Sequence, residues 1–434
     1  MNAKKRILAI VSALLSAATL LSCVGCSAID DENSESSTNF YSESATETET
    51  EATLKKTEKQ TQKQTQKQTQ KQTATTAKKT ETQLVPGVSK TDIKLNKRSY
   101  NFANMSTTEQ MYFKFLSRAK VSKDGLIFDN SCATLEFQGY FTGDVIVEIN
   151  SKKNSYYGNS YFTVYVDGVR SNTRFEVEEG KTTKLTIANF TGNYYHTIKI
   201  VKQTEFKWSL ATIKSLEFTG YLSIPPQEKE YYIEFLGDSL TTAYGNIGTP
   251  SVDSDISDSP DYQDGTKSYA YLFAEAVNAD YSIVARSAAG ISQCWSNSPI
   301  IDYYKKHSKD RSSDAYDTAN ARKPDLIVLH LGANDYNVGG SNSSNFVSKG
   351  KELVNYFRGL YGEDVPIIWA YDPNEGFPSK VKEIMNSFGG EAEGYYTLSL
   401  GWSERGAGGH PSAKEHENHA KILLDFVTSK NILK

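Results

Sequence analysis

"YYIEFLGDSL", Tyr231 to Leu240, is an apolar run that stops abruptly at Gly-Asp-Ser. A run of this kind, without polar alternation, is what a strand buried on both faces looks like. Further runs of the same kind follow downstream: "YSIVAR", "PDLIVLHLG", "PIIWAYD" and "YYTLSL". Between them lie amphipathic segments long enough for helices, "KSYAYLFAEAVN", "FVSKGKELVNYFRGL" and "SKVKEIMNSF", with a last one from Ser412 onward. Apolar strands separated by such helices predict an α/β domain over residues 227–434, a parallel sheet with helices on both faces. Ligands of such sheets sit where the carboxyl ends of the strands meet the loops.

Upstream the pattern is different. From 89 to 226 short runs alternate between apolar and polar residues, among them "ATLEFQGYF", "DVIVEIN", "YFTVYVDG", "RFEVEEGK", "HTIKIVK" and "SLEFTGYLS", with Gly, Asn and Asp between them. That spacing predicts an all-β sandwich of jelly-roll type. Residues 27–88 are Ser, Thr, Glu, Gln and Lys with almost no large apolar side chain, and "KQTQ" repeats from Lys59. Nothing in that stretch can offset the entropy of ordering it, so it reads as a disordered linker.

Residues 1–26 read as an export signal. Lys4, Lys5 and Arg6 precede an apolar run from Ile7 to Leu21, too short for a mature membrane span. The run ends in "LLSCVGCS", where small residues precede Cys23 and Cys26, as in a bacterial lipoprotein signal; ordinary cleavage without a lipid is the plainer alternative. The expectation is a secreted protein, lipid-anchored through Cys23 or Cys26 on the outer face of a bacterial cell membrane. Of the other cysteines, Cys132 and Cys294 fall in different domains, which argues against a disulfide framework. With a net charge of -4 there is no basic excess to suggest a nucleic-acid partner.

Four stretches fall at the strand ends of the expected sheet. "GDSL" with Ser239 follows the first strand, "SAAGIS" with Gly290 the second, "GAND" with Asn334 the third, and "GHPS" with His410 precedes the last helix. A serine and a histidine so placed can meet above the sheet edge, where the imidazole takes the hydroxyl proton that otherwise keeps serine a poor nucleophile. Each has a duller reading: Ser239 as a helix cap, Gly290 as a turn, Asn334 as a loop brace. Asp238 and Asp335 read as loop fasteners rather than catalysts. His410, His416 and His419 with Glu415 could be imagined as a metal site, His416 and His419 having a permissible spacing, but no Cys or Asp cluster completes a set, and no metal or cofactor is expected. There is no G-x-S-x-G elbow, which argues against the α/β-hydrolase fold.

In order, "FLGDSLTTAYGN", Gly290, "LGANDY" and "GHPS" resemble the four blocks of the SGNH, or GDSL, hydrolases. The preceding domain, ending in "HTIKIVKQTE", is similar to carbohydrate esterase family 2. The resemblance implies a flavodoxin-like SGNH sheet after the jelly roll, with Ser239 as nucleophile and His410 as general base. It also implies an oxyanion hole made of the backbone N–H groups of Ser239 and Gly290 and the side-chain amide of Asn334. The implied reaction is removal of O-acetyl groups from plant cell-wall polysaccharides, 6-O-acetyl glucomannan or acetyl xylan, by a protein expected to be a monomer.

One position departs from the pattern. Many SGNH enzymes carry an orienting Asp three residues before the histidine, and here that residue is Ala407. Three answers stand: a Ser-His dyad with a backbone carbonyl from "GAGG" holding the imidazole, Glu404 folding back as the acid, or a dead site. A carbonyl fixes the tautomer as well as a carboxylate does, though it stabilises imidazolium less. Trp295, Tyr336 and Trp402, each close in sequence to a site block, could stack on sugar faces or simply pack. Two rival functions fit the same residues: hydrolysis of a lipid or other small acyl ester, and a surface carbohydrate-binding protein with little esterase activity.

Overall fold

The computed structural model describes residues 95–434 apart from 155, 157, 252–257, 297, 309–314, 319, 340–342 and 375. The expected signal, lipidation site and linker therefore lie outside the described residues. Among the described residues no helix is long and apolar enough to cross a membrane.

The apolar runs of the second half form a five-stranded sheet, parallel throughout. In spatial order its strands are Ala279–Ala285, Tyr231–Gly237, Leu326–His330, Ile367–Tyr371 and Tyr395–Ser399. Side chains alternate across such a sheet, so each strand feeds two cores. Leu236, Ile327, Leu329, Ile367 and Trp369 pack under the helices Ser343–Tyr361 and Pro378–Asn386. Ile233, Phe235, Val328, Ile368 and Ala370 pack under Tyr269–Ala276 and Ala413–Ser429. Both faces are covered, which is why these strands read as continuous apolar runs. The chain leaves the first strand toward one edge and then crosses to its other side, so the order reverses at Tyr231–Gly237. Such a switch point opens a crevice at the carboxyl ends.

The first half is an antiparallel ten-stranded sheet around its own apolar core. Several runs that look separate in sequence are single long strands. "ATLEFQGYF" and "DVIVEIN" belong to Thr134–Lys153, and "HTIKIVK" is the end of Thr182–Lys202. Register shifts at Phe141/Gly143 and Val145/Ile146 mark where this pair bends. A bulge adds twist without ending the strand, so a polar interruption in sequence need not be a turn.

The two sheets share a contact along the edge strand Ala279–Ala285. Ser117 donates its N–H to the Tyr281 carbonyl (3.2 Å), and its Oγ exchanges hydrogen bonds with the N–H and carbonyl of Ile283 (3.1 Å each). Beside it Arg118 enters the parallel sheet, with Nη2 3.5 Å from Glu234 and Nε 3.2 Å from Ser282 Oγ. Lys114 pairs with Asp280 at 2.5 Å, and Arg322 approaches the same carboxylate at 3.1 Å.

Candidate active site

The first strand ends at Gly237, and Asp238 turns the chain into the one-turn helix Ser239–Thr242. Asp238 Oδ1 accepts the Leu240 N–H at 3.0 Å, so Asp238, not Ser239, is the helix cap. This leaves the Ser239 hydroxyl without the dull role. It lies 2.9 Å from Nε2 of His410.

His410 is held from behind by main chain. Its Nδ1 lies 3.0 Å from the Gly408 carbonyl. A carbonyl only accepts, so Nδ1 carries the proton and Nε2 presents its lone pair to the Ser239 hydroxyl. Gly408 and Gly409 have φ of 63° and 74°, left-handed values that let the chain double back until the Gly408 oxygen faces the ring two residues on. Glu404, the possible acid, is engaged elsewhere: Oε1 accepts from Ser412 Oγ at 3.2 Å and Oε2 sits 3.3 Å from Lys414 Nζ. The His410 loop is also tied to the Ser239 loop by backbone bonds, Ala407 N–H to Gly245 O (2.9 Å) and Ala413 N–H to Asn246 O (2.7 Å). Burial, opposed by the Gly408 hydrogen bond and aided by the Lys207 charge, pushes the His410 imidazole down to about 4.

The second strand end supplies Gly290. A side chain there would put its Cβ 1.8 Å from the Gln293 carbonyl oxygen, so only glycine fits. Asp335 fastens the following loop as a four-way acceptor, taking the N–H groups of Ile291 (3.0 Å), Ser292 (2.6 Å) and Gln293 (2.8 Å) and the Ser292 hydroxyl (2.8 Å). Asn334, after the third strand, donates its side-chain amide to the Ala289 carbonyl (2.9 Å) and to Asp238 Oδ2 (3.2 Å). Both amide hydrogens are therefore engaged, the bond to Asp238 being the longer. Burial pushes the Asp238 carboxyl up to about 7, with Asp335 adding to the rise and the hydrogen bonds from Leu240 and Asn334 opposing it. Neither the Ser239 nor the Gly290 N–H donates to an acceptor among the described residues.

The aromatic side chains chosen from sequence are not those in ring contact with His410. Trp295 is 66 % exposed and Tyr336 46 % exposed, the latter edge-on to Phe377 at 5.4 Å. Trp402 contacts the ring of His419, on the helix behind the site, at 6.4 Å. The ring on His410 is Tyr244 at 4.7 Å, which stacks on Trp208 at 6.2 Å. Lys207 lies over both rings and pairs with Asp258 at 2.8 Å. Trp208 and Lys207 come from the all-β domain, in the connection after Thr182–Lys202. A sequence signal existed in "TEFKWS", Thr204–Ser209, where charged and aromatic residues crowd a strand break; its target is set only by the way the two sheets meet.

Taken as chemistry, the arrangement is a hydroxyl hydrogen-bonded to a neutral imidazole of defined tautomer, beside two backbone donors and an amide. Cys132 and Cys294 are both free thiols. Among the described residues no group of three or more His, Cys, Asp or Glu is placed to hold a metal ion. His416 accepts the Tyr269 N–H at 3.2 Å and His419 bonds the Gly401 carbonyl at 3.3 Å.

Residues 118–226 match the family model of the carbohydrate esterase 2 N-terminal domain, and residues 233–372 that of GDSL-like lipase/acylhydrolases, together more than half of the chain. The chain is 27% identical over 290 residues to the cellulase/esterase CelE of Acetivibrio thermocellus, covering 63% of this chain and 34% of that protein. It is 22% identical over 232 residues to an acetylxylan esterase / glucomannan deacetylase of Cellvibrio japonicus, covering 51% of this chain and 62% of that one. The match thus spans about a third of the first of these curated relatives and less than two thirds of the second. A family two carbohydrate esterase from Clostridium thermocellum, solved in complex with cellohexaose, is similar with a TM-score of 0.66 at 25% identity, over 73% of this chain and 98% of that chain.

Proposed function

We propose that this chain, which belongs to carbohydrate esterase family 2, is a serine esterase that removes O-acetyl groups from plant cell-wall polysaccharide through an acyl-enzyme. The observation that carries the reading is the 2.9 Å contact between Ser239 Oγ and His410 Nε2, on a ring whose other nitrogen is held by the Gly408 carbonyl. Ser239 attacks the ester carbonyl while His410 takes its proton. The developing oxyanion is met by the N–H groups of Ser239 and Gly290, and by the Asn334 amide as it exchanges its longer bond to Asp238 for the substrate oxygen. Imidazolium then protonates the departing sugar hydroxyl. Water repeats the sequence on the acetyl-serine and leaves acetate. A carbonyl behind the imidazole makes this a dyad, in keeping with alanine at 407.

The curated relative named for acetylxylan and glucomannan supports those two substrates, and the relative solved with cellohexaose supports an extended sugar chain as the ligand. Tyr244, Trp208 and Lys207 are buried beside His410, so they brace the base from within rather than offer a surface to the ligand. The deciding experiment is acetate release from acetylated glucomannan and acetylated xylan, with Ser239→Ala beside the wild type. Loss of the nucleophile is expected to lower kcat by roughly 10⁶-fold. Equal and negligible release by both proteins overturns the esterase reading in favour of a glycan-binding role.

We infer export and a lipid on Cys23 or Cys26 from the charged and apolar N-terminal residues and the small residues before each cysteine, which would anchor the esterase on the outer face of a bacterial membrane. Mass spectrometry of the mature N-terminus tests this; an unmodified terminus beyond Cys26 overturns the anchor.

A further inference from the structure

We propose that Glu205, a carboxylate delivered by the all-β domain, is a positioning residue of the esterase site that holds the nucleophile helix and the Gly290 loop at a fixed separation. The inference rests on the esterase reading above.

Glu205 is fully buried in the connection between strands Thr182–Lys202 and Ser209–Leu222. Its acceptors are turned toward the parallel sheet. The Ser287 N–H donates to it at 2.9 Å, the Ser287 hydroxyl donates as well, and the Thr242 hydroxyl lies at 3.4 Å. Thr242 is the last residue of the helix that begins at Ser239, and Ser287 opens the loop that leads to Gly290. One carboxylate therefore grips both supports of the implied oxyanion hole, and the two hydroxyls also lie 3.2 Å from each other.

The grip is itself braced. Gln263, also fully buried, accepts the Glu205 N–H (3.1 Å) and the Trp208 indole N–H (2.9 Å) on one atom, and donates to the Thr242 carbonyl (2.9 Å) with the other. Arg286 offers incomplete charge compensation: Nη1 is 3.9 Å from Glu205 and donates to the Ser287 carbonyl at 2.6 Å. A buried carboxylate without a close ion pair is costly, and three hydrogen bonds to site-bearing elements are what it receives in exchange. For stability alone, apolar packing between the domains serves as well or better.

Glu205 also acts on His410 through its charge. It favours the imidazolium form, whereas Lys207, reaching the same ring from the same connection, disfavours it; His416, on the last helix, is affected by His410 in turn, and Asp258 pairs with Lys207. A carboxylate at this place thus fixes distances and steadies the cation formed during attack.

The test is steady-state kinetics of acetate release across pH for the wild-type protein and Glu205→Gln. Loosening two oxyanion supports against each other is expected to lower kcat roughly 10- to 100-fold with KM within about twofold. The acid limb of kcat/KM is expected to move to lower pH, because the negative charge favouring imidazolium is gone; a merely structural brace would leave that limb in place. If Glu205→Gln does not fold, Ser287→Ala and Thr242→Val each remove one hydroxyl donor, and both are expected to lower kcat while leaving KM unchanged. A wild-type kcat in Glu205→Gln with an unmoved acid limb, or in both hydroxyl variants, overturns the inference alone. A wild-type protein that releases no acetate overturns the esterase reading, and this inference with it.

Discussion

The all-β domain meets the α/β domain along several contacts, and two of them are built from different materials. At the sheet edge the contact is made of closed charge pairs and strand-like backbone bonds: Arg118 with Glu234, Lys114 with Asp280, Ser117 along Ala279–Ala285. Arg118 also lies over the rings of Tyr316 and Tyr304, at 3.2 and 4.7 Å. Beneath the site the contact is one carboxylate and one amide, Glu205 and Gln263, each reaching groups that carry the site blocks. The edge joins two surfaces, and its worth is measured in free energy of folding. The second contact is the one proposed above to set position at Ser239 rather than cohesion between the domains.

The largest effect expected at the edge is on stability. Arg118→Met leaves the Glu234 carboxylate buried without its cation, which typically costs about 3–5 kcal/mol. Chemical denaturation should show that loss while kcat per folded molecule stays within about twofold of wild type; a matching fall in kcat would erase the distinction between the two contacts. At the site the expected sign is reversed. Gly290→Ala drives a Cβ into the Gln293 carbonyl and displaces the N–H proposed as an oxyanion donor, so kcat should fall about 10²- to 10³-fold, with a smaller change in the denaturation midpoint. If kcat falls less than tenfold, the Gly290 amide is not a donor.

Acid sharpens the same contrast. Burial pushes His330 down to about 3 and His410 to about 4, and displaces His416 and His419 in the same direction. Unfolded histidines take up protons near pH 6.5 and these folded ones resist, so the unfolded state binds the extra protons and stability falls as pH drops below about 6.5. The slope approaches about 1.4 kcal/mol per pH unit for each histidine, and the His410 contribution is exhausted near pH 4. The proposed general-base role needs neutral His410, so initial rates should persist well below the ordinary histidine range while the unfolding midpoint is already falling. Rates that collapse near pH 6.5 in protein still folded by circular dichroism would contradict this placement of the ring. The smallest effect is expected at Glu404. Its carboxylate is turned to Ser412 and Lys414, half exposed, so Glu404→Gln should leave kcat within about twofold and stability within about 1 kcal/mol.

The parts of the site legible in sequence are those carried by local pattern. Ser239, Gly290 and Asn334 each sit just past an apolar run, and a parallel sheet brings such ends together whatever their distance along the chain. The carbonyl behind His410 was legible as one of three options, because Gly-Ala-Gly-Gly permits a backbone fold that few sequences allow. Glu205 was not legible: a glutamate between strands reads as solvated, and only the docking of one sheet on another buries it. The aromatic residues misled for a related reason. Trp295, Tyr336 and Trp402 are neighbours of site residues along the chain, but a helix or loop turns successive side chains apart, and Tyr244, five residues past Ser239, is the one that returns to His410. In the first half, polar interruptions look like turns where bulges carry single strands onward.

The Gly408 carbonyl has a genetic consequence. An orienting carboxylate is encoded by one codon and can be deleted by one base change. A carbonyl belongs to the main chain, present whatever residue is translated there, and a substitution can disturb it only by shifting the backbone out of its left-handed turn. The mutational target has moved from the identity of one acidic residue to the conformational tolerance of two glycines. Lineages carrying this loop need no acid at position 407, where a small, fully buried residue is what the packing asks for, while the requirement at 408 and 409 is for a shape.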